Sequence, residues 1–442
     1  DDRLTAPMLK QGGEWKTVDW QTALEYVANG LKQIKADHGA KSIGTLASPH
    51  STVEELYLAG ALMRGLGSEN IDYRLRNAEF AKAEGVRWLG TSIASLSNLQ
   101  GALVIGSNLR KDHPLFALRI REAVRKGAKV SVIHDAENDW AMPIATSVIA
   151  PAPDWIQALA GIASAIGLEK GSTAPVAGVP GDSHKAIAAS LVKGERKAIL
   201  LGNAAAHHAN ASSILALANW IGEQTGATVG YLTEAANTVG AQLAGALPGE
   251  GGLNAGEMLG GKLKAAILLN NEPEFDSAAG ARGAAALGQA QMVVTLSPFR
   301  ANLAFSDVLL PIAPFTETPG TFVNAEGRVQ SFHAVIKPLG EARPAWKVLR
   351  VLANMLGVAG FEFESANEVL AAARGAQDIE KSHVQGGKLG NATSAKAAAS
   401  TGNAGKPVTA SIYQLDSIVR RAPSLQHTAD ARAAKAREEV AA

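Results

Sequence analysis

The sequence predicts an α/β protein built on parallel sheets covered by helices on both faces. Three observations carry this expectation. Short apolar runs without polar alternation recur along the chain, as at 102–105 and 265–269, which is how strands buried on both faces read. Between these runs lie segments whose apolar residues fall at helical spacing. The runs close on glycine or asparagine, and the chain holds 45 glycines in 442 residues. That length exceeds what one ordinary core supports, so two or three domains are expected.

Taken in order, residues 1–20 read as an extended lead-in ending in Trp15 and Trp20. Residues 21–37 are predicted helical, because Ala23, Leu24, Val27, Leu31 and Ile34 form one stripe and Gly39 follows as a C-terminal glycine. A strand is expected at 42–47 and a helix at 51–66, with Glu54 and Glu55 in its first turn, where the helix dipole favours anions. Strands follow at 101–106, 129–133 and 147–150, and helices at 114–126 and 154–166. The polar loop 167–182 is read as a domain boundary. A second alternating block has strands at 197–201, 228–232, 265–269, 291–296 and 307–310, a helix at 211–225 and a glycine-rich excursion at 238–261. The last long helix is expected at 344–356. Residues 384–409 are rich in Gly, Ala, Ser, Thr, Asn and Lys without periodicity and are predicted to be a mobile linker. Residues 411–442 are predicted to dock or to be helical.

Composition removes several classes of function. Hydrophobic residues make up 47% and charged residues 19%, a globular balance. With 42 basic and 41 acidic residues, no whole-chain field draws nucleic acid or an anionic membrane. Cysteine is absent, so no disulfide, catalytic thiol, iron-sulfur ligand or zinc thiolate exists in these residues. No run approaches the ~18 apolar residues of a membrane span. No secretory signal is expected ahead of Arg3, and the chain reads as part of a longer polypeptide. Neither a G-x-G-x-x-G fingerprint nor a phosphate-binding lysine loop is present, so binding of NAD, FAD or ATP is not expected.

The best site signals lie at strand ends. Gly106-Ser107-Asn108, Gly202-Asn203, Asn270-Asn271 and Ser297-Pro298 would sit at the carboxyl edge of a parallel sheet, where ligands bind. Small residues there let phosphates approach backbone amides. The competing reading, that Gly and Asn simply make the turns, is preferred. His207 and His208 are adjacent and point apart, so helix-start polarity is preferred over a metal pair. Arg74 and Arg76 could grip an anion, but ion pairing is the better expectation. Glu54 and Glu55 cannot face each other as an acid/base pair. No nucleophile elbow is found. Such an inventory favours a scaffold or a subunit over a free-standing enzyme.

Several motifs, in order, resemble the molybdopterin oxidoreductase family. They begin with Arg3-Leu4-Thr5-Ala6-Pro7, Gly13, Trp15 and Trp20-Gln21-Thr22-Ala23-Leu24. Ser48 through Tyr57 follows, with Arg64, Gly67 and Asn70-Ile71-Asp72, then Leu103-Val104-Ile105-Gly106-Ser107-Asn108 with His113-Pro114. Asn237-Thr238-Val239-Gly240 is similar to the asparagine-glycine turn of the family's cofactor cleft. The most specific block runs from Ser306 to Pro311, through Glu317 to Gln330, to Gly340-Glu341-Ala342-Arg343-Pro344. Within the family, the end of the chain (Ser411 to Gln414 and Val419 to Gln426) resembles the large G subunit of bacterial NADH-quinone oxidoreductase (complex I).

The resemblance implies a formate dehydrogenase/DMSO reductase type of α/β fold, parallel sheets flanked by helices, without the family's C-terminal β-barrel, for which too few residues follow Leu356. It implies a discontinuous domain of residues 1–76 and 195–340, an inserted Rossmann-like domain of 77–190, a helical extension at 341–383, and a linker with a docking segment at 384–442. Residues 317–328 are expected to form an irregular loop that satisfies buried backbone groups. No catalytic residue and no metal ligand is carried over, and Asn108, Asn203, Asn237 and Asn270 are candidates for a vestigial cofactor cleft. No cofactor is expected in this region. Iron-sulfur clusters, 4Fe-4S and 2Fe-2S, would be held upstream of Asp1. The implied partners are the flavin- and NADH-binding and cluster-bearing subunits of the peripheral arm, on the cytoplasmic side of the bacterial inner membrane. The alternatives are a molybdenum- or tungsten-pterin enzyme with a Ser or Asp metal ligand, and a small-ligand-binding α/β module.

Overall fold

A computed structural model describes residues 2–82, 84–377, 388–399 and 405–432. Its strands are β1 (Met8–Gln11), β2 (Glu14–Thr17), β3 (Ile43–Ala47), β4 (Ile71–Asp72), β5 (Gly101–Ile105), β6 (Lys129–His134), β7 (Thr146–Ile149), β8 (Lys197–Leu201), β9 (Thr228–Tyr231), β10 (Ala265–Leu269), β11 (Met292–Ser297), β12 (Val308–Pro311), β13 (Gly320–Val323) and β14 (Val329–Phe332). They form a seven-stranded sheet in the order β2-β1-β12-β11-β10-β3-β4, a five-stranded sheet in the order β7-β6-β5-β8-β9, and the hairpin β13-β14. The five-stranded sheet is wholly parallel. In the seven-stranded sheet only β1 runs against the rest, antiparallel to both β12 and the edge strand β2. Strands β3, β5, β8, β10 and β11 are buried at every position, which explains why their sequences carry no polar alternation. No closed barrel occurs among the described residues.

Helix α1 (Trp20–His38) starts where Asp19 accepts a hydrogen bond from the Thr22 amide, and Gly39 follows its end at φ 81°. Its buried stripe is the one read from the sequence, Ala23, Leu24, Val27, Leu31 and Ile34. Helix α2 (Val53–Leu66) opens with a capping box, in which the Thr52 side chain accepts from the Glu55 amide and the Glu55 carboxylate accepts from the Thr52 amide. The helix is buried on most of its surface because the helices Ala345–Met355 and Ala366–Gln377 pack over it. In the second unit, Trp155–Lys170, Asp182–Val192 and Ala211–Thr225 cover one face of the five-stranded sheet and Pro114–Arg125 the other.

The structure corrects several sequence expectations. Strands β8 and β9, assigned by the sequence to the first domain, belong to the second sheet: β8 pairs with β5 in register Gly101↔Lys197 to Ile105↔Leu201, and β9 with β8. A fully apolar strand suits the middle of either sheet, so its sequence could not choose the neighbour. The supposed boundary loop 167–182 leads directly into the helix Asp182–Val192, which packs back on Trp155–Lys170. Residues 317–328 are not irregular throughout, since β13 begins at Gly320 and pairs with β14 across the Asn324–Gly327 turn.

The expected mobile linker is in part a docked strap. Leu389 bridges to Val86, and the Asn391 side chain donates to the carbonyls of Trp88 and Val229, both at 2.9 Å. Residues 384–387 and 400–404 of that expectation, and 433–442 of the C-terminal one, lie outside the described residues. Among the described residues no helix is long and apolar enough to cross a membrane.

Candidate functional site at the carboxyl edges of the sheets

The carboxyl ends of both sheets face a common crevice. Pro49 and Tyr73, just past β3 and β4, line a cavity of about 160 Å³ together with Asn203 past β8 and Tyr231 to Glu234 at and after β9. Arg74, Arg76, Glu79, Arg87 and His207 bring charge or potential charge to it. A second groove of about 420 Å³ lies between α1 and the helix Ala345–Met355, with Trp20 and Leu24 on one side and Arg343, Lys347 and Val351 on the other.

Most of the charge in the crevice is spoken for. Arg74 pairs with Asp72 through Nε and Nη2, both at 2.9 Å. Glu79 accepts from the Ser212 amide at 2.8 Å and from its hydroxyl. Arg76 is the bridge between the sheets: Nη1 lies 2.9 Å from Glu234, past β9, and Nη2 lies 2.9 Å from Asp276, past β10. The relay continues through the C-terminal segment. Arg420 grips Asp276 through two bonds of 2.8 and 3.1 Å, and Arg421 grips Glu272 through bonds of 2.6 and 3.2 Å. Arg420 also lies 3.4 Å from Glu272. Glu234, Arg76, Asp276, Arg420, Glu272 and Arg421 thus alternate in sign along one buried line.

Burial tunes these groups, and the neighbouring charges answer it. Burial pushes the Glu234 carboxyl up, but Arg76, His207 and His50 outweigh it and hold the group below the usual carboxylate range. Burial lowers His50 and His207; nearby carboxylates, Glu234 among them, oppose it without cancelling it. His207 donates from Nδ1 to the Val408 carbonyl at 2.9 Å, and its Nε2 is 3.6 Å from Glu234. His208 turns the other way, with Nε2 at 3.0 Å from the Ala152 carbonyl. Burial pushes the Tyr231 phenol up to about 12 and Tyr73 higher still, so both hydroxyls stay protonated. A compensated network of this kind positions backbone. No nucleophile with an aligned base is found in it.

Of the four asparagines singled out from sequence, Asn203 lines the cavity. Asn237 sits one residue before Thr238, which does, but its own side chain is committed elsewhere: Nδ2 donates to the Ser51 carbonyl at 2.7 Å and Oδ1 accepts from the Val323 amide at 2.8 Å. It thereby ties the start of α2 to β13. Asn108 donates to Asn138 at 2.9 Å, past β6. Asn270 holds a left-handed turn at φ 54° after β10. The residues that sequence reasoning missed are the carboxylates Glu234, Glu272 and Asp276. Each follows a strand end within seven residues. That spacing, set against an otherwise unmatched Arg-Arg pair near the C-terminus, was the available signal.

The sequence profile of the molybdopterin oxidoreductase family matches residues 3–355. The chain belongs to the molybdopterin oxidoreductase family. Curated relatives in it are similar at modest identity. The G subunit of the NADH-quinone oxidoreductase of Streptomyces coelicolor is 29% identical, covering 81% of this chain and 47% of that protein. The probable oxidoreductase YjgC of Bacillus subtilis is 26% identical over 84% of this chain and 45% of its own length. A putative formate dehydrogenase of Staphylococcus aureus is 24% identical over 81% and 44%. The chain therefore spans just under half the length of these relatives. Among solved structures, acetylene hydratase from Pelobacter acetylenicus superposes with a TM-score of 0.51 at 14% identity, covering 85% of this chain and 64% of the other. That likeness carries the molybdopterin oxidoreductase fold and nothing finer.

Proposed function

We propose that this chain is a non-redox structural part of the large peripheral-arm subunit of an NADH:quinone oxidoreductase. In this reading it holds no pterin cofactor and helps to fix flavin- and cluster-bearing partners that carry electrons from NADH towards quinone, on the cytoplasmic side of a bacterial inner membrane. The 4Fe-4S and 2Fe-2S clusters of such a subunit would be ligated outside these 442 cysteine-free residues. The observation that carries the reading is the narrow crevice. Its cavity of about 160 Å³ falls below the roughly 300–1,000 Å³ of ordinary ligand pockets. Arg420 and Arg421 occupy the edge of the seven-stranded sheet. The narrow cavity and the absence of a cysteine to serve as a metal ligand support a region without the family's pterin group. The likeness to the Streptomyces coelicolor NADH-quinone oxidoreductase polypeptide supports the assembly.

The second reading, a molybdenum- or tungsten-pterin oxidoreductase, draws on relatives named as putative formate dehydrogenases. The two part in one experiment. The full-length polypeptide is purified under native expression from gently solubilised membranes, and the eluate is assayed for NADH-dependent quinone reduction and for molybdenum and tungsten by elemental analysis. The proposal expects activity, flavin-bearing partners and no stoichiometric metal-pterin. A lone protein with one molybdenum or tungsten per chain overturns it.

A further inference from the structure

The described C-terminal residues, 405–432, are built as a self-contained strap. Asp416 caps a short helix by accepting from the amides of Ile418 and Val419. Gln426 donates to the carbonyls of Tyr413 and Val419, and Gln414 donates back to Gln426 at 3.0 Å. These ties hold Arg420 and Arg421 side by side. The side chains of Arg420, Glu272 and Asp276 are each 10% exposed or less. Arg420 stacks over Phe275 and Arg421 over Phe299, at 5.2 and 4.7 Å from the ring centroids. Two guanidinium groups, two carboxylates and two aromatic rings form a notch matched in charge and shape, with the bidentate geometry only arginine supplies.

The same strap also holds the other sheet. Val408 accepts from His207, Lys406 lies 3.3 Å from Asp135 past β6, and Asp430 pairs with Lys111 past β5. Its anchors therefore alternate between the carboxyl edge of the five-stranded sheet and that of the seven-stranded sheet.

We propose that residues 405–432 are an intramolecular latch: the Arg420-Arg421 pair is the resident ligand of the acidic notch formed by Glu272 and Asp276, and the strap locks the two α/β units across the edge where this fold presents its ligands. The latch extends, through Asp276, the ion relay that Arg76 and Glu234 begin in the crevice. The inference leans on the crevice geometry but does not require any particular assembly or partner.

Hydrogen exchange on the full chain tests it, comparing wild type with Arg420→Ala/Arg421→Ala and with Arg420→Lys/Arg421→Lys. The latch expects slow exchange at 414–426 and 272–277 in wild type. In the alanine variant it expects exchange about ten-fold faster or more in both segments, with β5 and β10 still protected. The lysine variant keeps charge without the fork and should fall between. Should the alanine variant lose protection in β5 and β10 as well, Gln426→Ala replaces it: this substitution frees the strap's inner ties without touching the notch, and both segments should again loosen together. Free-peptide exchange rates at 414–426 in wild type overturn the latch. So does an unchanged 272–277 segment once the strap is loose. Neither result bears on metal content or partner binding, so failure here is separable from failure of the proposed function.

Discussion

At the scale of single residues, Glu55 shows how a local motif and burial compete. The capping box needs its carboxylate, yet burial pushes its pKa from 4.5 up to about 7, a rise the Thr52 hydrogen bonds oppose and the neighbouring Glu54 reinforces. A carboxyl whose folded pKa exceeds its unfolded value penalises the fold when ionised. The penalty is absent below pH 4.5 and complete above about 7. Urea unfolding should therefore show Glu55 withdrawing roughly 3 kcal/mol between pH 4.5 and 8. Glu55→Gln keeps an acceptor for the Thr52 amide and should flatten that slope. Equal slopes in the two proteins would refute the account. Asn237 is the complementary case, a fully buried side chain whose two hydrogen bonds serve backbone groups. Asn237→Ala strands the Ser51 carbonyl and the Val323 amide and should cost about 2–4 kcal/mol, read as a lower denaturation midpoint at unchanged slope.

At the scale of elements, the second sheet is finished by chain that crosses its edge at close range. Segment 88–90 runs against β9, with the Tyr231 amide donating to the Trp88 carbonyl at 2.8 Å. A Cβ on Gly230 would stand 1.8 Å from the Leu89 oxygen, and one on Gly90 2.3 Å from the Val229 oxygen. Both neighbours are backbone and cannot swing aside. Gly230→Ala is expected to destabilise by about 2–4 kcal/mol and to raise hydrogen exchange at Leu89. Gly260→Ala, where no atom lies within 4 Å of the added carbon, is the control and should be near neutral. If the two substitutions behaved alike, the close approach would not be what stabilises this edge.

At the scale of the whole molecule, Arg76 joins the sheets. Arg76→Ala leaves Glu234 and Asp276 buried with less compensation, a loss of about 3–5 kcal/mol at neutral pH. Glu234 has a folded pKa below its usual 4.5, so the stability it draws from Arg76 is present above that value and fades as pH falls through the folded one. The difference between Arg76→Ala and wild type should accordingly shrink between pH 7 and pH 3 in thermal melts. A difference that stays constant over that range would assign Arg76 to packing rather than to the ion relay.

Much of this was legible in the sequence. Continuous apolar runs such as 265–269 announce strands buried on both faces, because alternation survives only where one face meets water. The stripe on α1, the glycine at its end and the pairing of Arg74 and Arg76 with carboxylates were all readable from local spacing and charge. Tertiary structure decided what local pattern cannot encode. It placed β8 and β9 in the second sheet, since a strand apolar on both faces has no address of its own until its neighbours register against it. Asn237 went to backbone support and Asn203 to the cavity, though both are asparagines beside helix starts. The low-complexity residues 388–399 became a docked strap because Asn391 finds two carbonyls already in place. Arg420 and Arg421 meet Asp276 and Glu272 across 144 and 149 residues of chain, and only the folded sheet edge holds those carboxylates close enough for charge and hydrogen bonding to act together.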